Sequence, residues 1–136
     1  MLKDGTYKTS EYFIFNIYEP KERVIYRLPY FPDRIVHHAI MNVLESIWVK
    51  TFTTDTCACI KQRGTMEAYR KMKKYLKDKK GTAYCLKIDV RKFYPSIDHD
   101  CLKKIVRRKI KDKRLFRLLD EIIDSALGVP IGNYLS

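Results

Sequence analysis

The sequence predicts an α+β fold, and three observations carry that reading. Two short runs rich in β-branched and aromatic residues, Tyr12 to Tyr18 and Arg23 to Leu28, flank Glu19-Pro20-Lys21-Glu22 and read as a β-hairpin with a charged tip. Four later stretches carry apolar residues at helical spacing. Between the second and third of these, Thr82 to Val90 alternates at period two: Tyr84, Leu86 and Ile88 fall on one face, Cys85, Lys87 and Asp89 on the other, which predicts a strand ending at Asp89.

Taken in order, residues 1 to 11 have scattered polar groups and no apolar periodicity, and predict a loose lead-in. After the hairpin, Pro32-Asp33 reads as a helix start. Ile35, Val36, Ala39, Ile40, Val43, Leu44 and Ile47 then form a buried face, with Trp48 anchoring its end. His37 and His38 flank that face and, as neighbours on a helix, do not converge on a metal. Thr65 reads as the cap of a helix with Ala68, Tyr69, Met72, Tyr75 and Leu76 inward; its outer stripe of Arg70, Lys71, Lys73, Lys74 and Lys77 suits a solvated face. Asp98 reads as the N-cap of a helix to about Ile110 with Leu102, Ile105 and Val106 inward, a capping job that accounts for it without catalysis. A last helix from Asp112 buries Leu115, Phe116, Leu119, Ile122, Ile123 and Ala126 and stops at Gly128.

The 136 residues are one domain's worth of chain, enough to bury a core unaided. Lys and Arg number 28 against 16 Asp and Glu, a net charge of +12. The excess is spread over several segments, making a broad positive field that suits a polyanion such as nucleic acid and equally a well-solvated surface. Cys57, Cys59, Cys85 and Cys101 lack the second close pair a zinc site needs and read as buried free thiols. No apolar run reaches membrane-spanning length, and charges near the N-terminus argue against a signal peptide, so a reducing, cytoplasmic setting without a membrane partner is expected.

A strand-end aspartate such as Asp89 caps a turn, pairs with a neighbour such as Lys87, or holds a hard divalent cation through its oxygens. Five residues on, Tyr94 sits in a Phe-Tyr-Pro-Ser turn, and Ile97-Asp98-His99 opens a helix. This succession resembles the A motif of the reverse transcriptases of group II introns, retrons and diversity-generating retroelements. The resemblance implies the fingers and partial palm of a right-hand polymerase, with a fingers region at 1–81 and a partial palm at 82–136. It makes Asp89 a catalytic carboxylate and ligand for Mg²⁺, or Mn²⁺ in its place, with the Val90 carbonyl helping to hold the ion. Tyr94 would lie under the sugar of the incoming dNTP and exclude a 2′-hydroxyl; without the motif it reads as a half-buried turn aromatic.

The same resemblance extends to both sides. Arg23, Arg27, Leu28-Pro29 and Asp33-Arg34 match the fingers pattern and imply that Arg34 and Arg23 contact the triphosphate, a task suited to a planar, permanently charged guanidinium. The spacing from Arg23 to Pro29 is one residue long, so Lys21 or Arg27 competes for its role; the plain alternative for Arg34 is an ion pair with Asp33. Cys59-Ile60-Lys61-Gln62-Arg63-Gly64 stands where the family's Gly-Phe-Arg faces the template, implying Lys61 and Arg63 on template phosphates and Gln62 near a base. The segment Gly128 to Ser136 resembles the B motif, with Gly132 letting the backbone approach the nucleotide. Ile131 replaces the usual glutamine, and Ile-Gly-x-x-x-Ser points to the diversity-generating branch.

No Tyr-x-Asp-Asp occurs between Met1 and Ser136. The expectation is therefore a fragment of an RNA-directed DNA polymerase, inactive alone, whose partners are an RNA template with primer and dNTP, with an accessory protein of the retroelement left open. A palm sheet cut short is expected to self-associate through its open edge. The rival reading is a non-catalytic RNA- or DNA-binding module that keeps the fingers fold, and a third is a protein-interaction domain with incidental charge.

Overall fold

In the computed structural model, which describes residues 1–18 and 20–135, the expected hairpin forms. Strands β1 (Phe13–Ile17) and β2 (Arg23–Arg27) pair antiparallel, with Phe13 opposite Arg27 and Ile17 opposite Arg23. Glu19 of the expected tip and Ser136 of the expected Ile-Gly-x-x-x-Ser signature lie outside the described residues. A kinked turn, Tyr30–Arg34, with Phe31 extended, leads into α1 (Ile35–Val49). Three more helices follow among the described residues: α2 (Thr65–Tyr75), α3 (His99–Lys109) and α4 (Lys113–Ile123). Together they make the mixed α+β class that patterning predicts.

Local chemistry sets the ends of these elements. The Asp98 carboxylate accepts from the Cys101 N–H at 2.7 Å and opens α3; that of Asp112 accepts from the Arg114 and Leu115 N–H groups, each at 2.8 Å, and opens α4. Both use an aspartate to satisfy donors that the first helical turn leaves without partners. Thr65 instead begins α2, with Gly64 in the cap position and no side-chain cap bond.

The chain groups into two compact units, one made of Met1–Val43 with the chain from Arg91 onward, the other of Leu44–Val90. This grouping by contact differs from the split at 81/82, which follows the regions of the resembled family. In the first unit the core is Tyr7, Leu28, Val36, Ile40, Ile110, Leu119 and Ile122. Helices α3 and α4 of that unit are cross-braced by Lys103 to Asp124 and Arg107 to Asp120, each 2.6 Å. In the second, Leu44 is buried, and Asp55 is the hub of a surface knot, taking Lys71 at 3.0 Å and the Tyr75 hydroxyl at 3.1 Å. Hydrogen bonds from Lys71 and Tyr75 hold the Asp55 carboxyl below the usual range.

Several sequence expectations fail, for a common reason. Thr82 to Val90 forms no strand: the sheet of the described residues has only β1 and β2, and Tyr84, Leu86 and Ile88 are 96, 83 and 77% exposed. Alternation suits a residue run to a sheet, but a strand exists only where another backbone supplies its ladder. The intended inner face of α2 is likewise open, with Tyr69, Met72, Tyr75 and Leu76 all exposed, as are Ile35, Val43 and Ile105 elsewhere. The four thiols are free as expected but not buried: Cys57 is half-buried and the other three are exposed. The lead-in is the opposite case, since Tyr7 is 5% exposed and belongs to the core.

Candidate functional site

The first unit carries a cavity of about 710 Å³. One wall is the entry turn and first half of α1, presenting Tyr30, Arg34, Ile35, His38, Ala39 and Asn42; the other is Gly132, Asn133 and Tyr134. The Tyr134 ring stacks on His38 at 5.0 Å with the planes 27° apart, an aromatic platform at the lip. Two residues singled out from the sequence, Arg34 and Gly132, thus meet across one space although they lie near opposite ends of the chain.

Each wall has a reason to sit where it does. Asp33, 0% exposed, accepts the Tyr7 hydroxyl at 2.6 Å and the Ser10 N–H at 3.1 Å on one oxygen. Among the described residues Asp33 Oδ2 has no partner and so makes no ion pair with Arg34, which is exposed on the cavity side. Burial pushes the Asp33 carboxyl up, but the bonds from Tyr7 and Ser10 and the nearby His37 outweigh it and hold the group below the usual carboxylate range. His37, 1% exposed, is pulled down by burial, with the Asp33 charge opposing in part. Burial, reinforced by the Asp33 bond, drives the Tyr7 hydroxyl well above the ordinary tyrosine range.

The opposite wall is pinned by backbone. The Tyr26 N–H on the edge of β2 donates to the Ile131 carbonyl at 2.8 Å, and the Val129 N–H donates to the Tyr94 carbonyl at 2.9 Å. Gly132 has φ +107°, and a β-carbon there would stand 2.9 Å from Ile25 Cγ2. Gly128 has φ +62°, and its β-carbon would fall 2.4 Å from the Tyr94 carbonyl oxygen. Only glycine combines these backbone angles with such close approach. His99 completes the joint, its Nε2 2.8 Å from the Gly128 carbonyl and its Nδ1 3.2 Å from Asp124.

The other expected site residues do not line this cavity. Arg23 is exposed at the start of β2, while Arg27 lies over the Phe13 ring at 5.0 Å, engaged by a cation–π contact. Tyr94, 37% exposed, opens a single helical turn, Tyr94–Ser96, and meets Phe93 edge-on at 5.4 Å. Lys61 and Gln62 are exposed in the loop before α2, Gln62 at φ +66°, and Arg63 is half-buried with its guanidinium 3.4 Å from the Thr53 carbonyl.

Asp89 and Val90 are exposed at the end of the irregular 83–90 stretch. A hard divalent cation takes about six oxygen ligands and a catalytic pair of ions needs several carboxylates. Among the described residues no three His, Cys, Asp or Glu side chains are grouped to hold a metal. Asp89 with the Val90 carbonyl therefore does not fit a two-metal centre by itself.

Sequence reasoning missed the buried Tyr7, Asp33 and His37 cluster and the His38–Tyr134 stack. The spacing of Asp33 and His37, one helical turn apart, is a local signal that could have found half of the first. Nothing near Tyr7 in the sequence points to Asp33.

With this geometry in hand, comparison with known proteins points first to a class: the chain is similar to group II intron-encoded proteins, in agreement with the motif resemblance. Specifically, it is 27% identical to the group II intron-encoded protein LtrA of Lactococcus lactis subsp. cremoris over 99% of its own length and 24% of that protein's. It is 29% identical to protein YkfC of Escherichia coli K12 over 88% of its own length and 36% of that protein's. The chain thus spans about a quarter to a third of the length of the curated relatives it matches. No protein-family profile matches it. Among the described residues no helix is long and apolar enough to cross a membrane.

Proposed function

We propose that this chain is the fingers and partial palm of an RNA-directed DNA polymerase, and that the cavity between Arg34 and Gly132 receives the incoming dNTP. The observation that carries the reading is the meeting of these two residues in one space, in a chain similar along nearly its whole length to a group II intron-encoded protein. Arg34 supplies a guanidinium fork for the triphosphate, whose charge does not titrate away. Gly132, lacking a side chain, lets the nucleotide lie close to backbone, and Tyr94 serves as the sugar gate. Lys61, Gln62 and Arg63, with Arg23 on the hairpin, face template and triphosphate in this reading, and an RNA template with primer is the nucleic-acid partner. Asp89 is one carboxylate of the Mg²⁺ centre, and the chain by itself is expected not to extend a primer.

Equilibrium binding of a fluorescent dNTP tests this. Wild type is expected to prefer dNTP to the matching deoxynucleoside, and Arg34→Ala to lose on the order of tenfold in dNTP affinity, about 1.4 kcal/mol, with little change for the nucleoside. Equal affinity for dNTP and nucleoside in the wild-type chain would defeat the proposal.

A second reading, a non-catalytic nucleic-acid-binding module, draws on the net charge of +12 and on the absence, among the described residues, of three grouped His, Cys, Asp or Glu side chains. It is distinguished by tight, steeply salt-dependent binding of an RNA–DNA hybrid without any dNTP binding.

A further inference from the structure

The two walls of the Arg34 cavity come from distant parts of the chain, and one short segment bonds to both. Along Tyr7 to Tyr12, the Tyr7 hydroxyl and the Ser10 N–H hold Asp33, the residue before Arg34, at 2.6 and 3.1 Å. Between them, Lys8 Nζ and the Thr9 N–H reach Glu121 on α4 at 2.8 and 3.2 Å. At the far end the Tyr12 hydroxyl lies 2.6 Å from Ser125 Oγ and accepts from Asn133 Nδ2, in the second wall, at 3.4 Å. Ser125 Oγ donates to the Ile122 carbonyl at 2.6 Å, so Tyr12 is the donor to Ser125 and its oxygen is left free to accept from Asn133.

We propose that Tyr7–Tyr12 is a strap that sets the gap between Arg34 and the Gly132–Tyr134 wall, with Tyr7 and Tyr12 as positioning residues for the ligand of that cavity. The inference rests on the nucleotide reading above for the identity of the ligand, though not for the strap itself. Its physical basis is the kind of bond at each end. Asp33 Oδ2 has no partner among the described residues, so both of its hydrogen bonds converge on Oδ1 and both come from the strap. Removing the Tyr7 hydroxyl leaves a fully buried carboxylate with Ser10 as its remaining partner in the strap, and the entry turn that carries Arg34 loses its shortest anchor. Removing the Tyr12 hydroxyl frees Asn133 from the strap and from Ser125, just past α4, and loosens the second wall alone. Met1 to Thr6 make no such bonds to either wall among the described residues, so the strap begins at Tyr7.

The test uses the full chain with Tyr7→Phe and Tyr12→Phe, each read by amide hydrogen exchange and by dNTP binding. Two amides report the walls: Ile35, bonded to the Pro32 carbonyl behind Arg34, and Tyr26, bonded to the Ile131 carbonyl beside Gly132. Phe116, bonded to the Asp112 carbonyl in α4, reports the general fold. Tyr7→Phe is expected to speed exchange at Ile35, and Tyr12→Phe at Tyr26, each about tenfold, with Phe116 unchanged and dNTP affinity lowered by a similar factor. Affinity for an RNA–DNA hybrid is expected to stay within about twofold, because broad charge rather than cavity shape sets it.

Unchanged exchange at both reporters overturns the strap, as does dNTP affinity equal to wild type in both variants. Should the reporters respond while the wild-type chain binds no dNTP, the strap stands and the nucleotide reading fails. If Tyr7→Phe unfolds and raises exchange at Phe116 as well, the milder Tyr12→Phe, at a half-buried site, decides the question.

Discussion

Two short stretches without regular structure, Tyr7–Tyr12 and 83–90, have opposite fates. The first looks like a polar lead-in, yet it is tied by hydrogen bonds to the start of α1, to α4 and to Asn133, with Tyr7 in the core. The second has the alternation of a strand, yet its apolar side chains stand in solvent and no ladder holds it. Apolar content does not order a segment by itself. Partners do, because fixing each residue costs on the order of 1–2 kcal/mol of backbone entropy that only contacts or hydrogen bonds offset.

That contrast can be broken first at the joint where the held region is tightest. Gly128→Ala places a β-carbon 2.4 Å from the Tyr94 carbonyl oxygen in a left-handed backbone. The loss is expected to be about 3 kcal/mol, combining overpacking with the left-handed penalty, and a urea melt measures it. A change below about 0.5 kcal/mol, the size of a neutral surface substitution, would mean that the Tyr94 and Gly128 turns are not locked together.

The buried cluster beneath the strap sharpens the comparison through pH. His37 is buried and its pKa lies below the ordinary value, so the unfolded chain takes up a proton at higher pH than the folded one. Stability from this group is complete above the unfolded value, about pH 6.5, and is lost as pH falls from there through the lower folded value. The Asp33 carboxyl is also lowered, so its contribution is lost only in a separate window, below the usual carboxylate range. Urea midpoints at pH 7.5 and 5.5 are expected to differ in wild type and to draw together in His37→Gln. An equal pH slope in that variant would place the titrating group elsewhere.

The smallest expected effect lies in the open stretch. Replacing Leu86 and Ile88 by serine removes two side chains that are 83 and 77% exposed, and unfolding free energy is expected to move by no more than about 0.5 kcal/mol. If the stretch self-pairs at its edge, the same pair of changes lowers the mass seen by light scattering at high concentration. A stability loss of several kcal/mol would show that 83–90 is packed after all.

Much of the local structure was legible because its causes are local. Asp98 and Asp112 cap α3 and α4 as their positions suggest, and Val36, Ile40 and Leu44 bury the stripe that helical spacing predicts for α1. The hairpin follows from two β-rich runs around a proline turn. Arg34 and Gly132 were legible as candidates through motif resemblance, but their shared cavity was not. His99 belongs to the Ile-Asp-His run that resembles a motif, whereas its bridge from α3 to the Gly128 carbonyl arises only from the tertiary fold.

What the sequence by itself determined are the properties a residue and its near neighbours settle: the charge excess, the aspartate caps of α3 and α4, and the hairpin. Only the tertiary structure decided that Tyr7 belongs with Asp33, that Tyr12 belongs with Asn133, and that the alternating run after Gly81 stays unpaired. These depend on which distant backbone arrives within about 3 Å, and no spacing rule along the chain encodes that meeting.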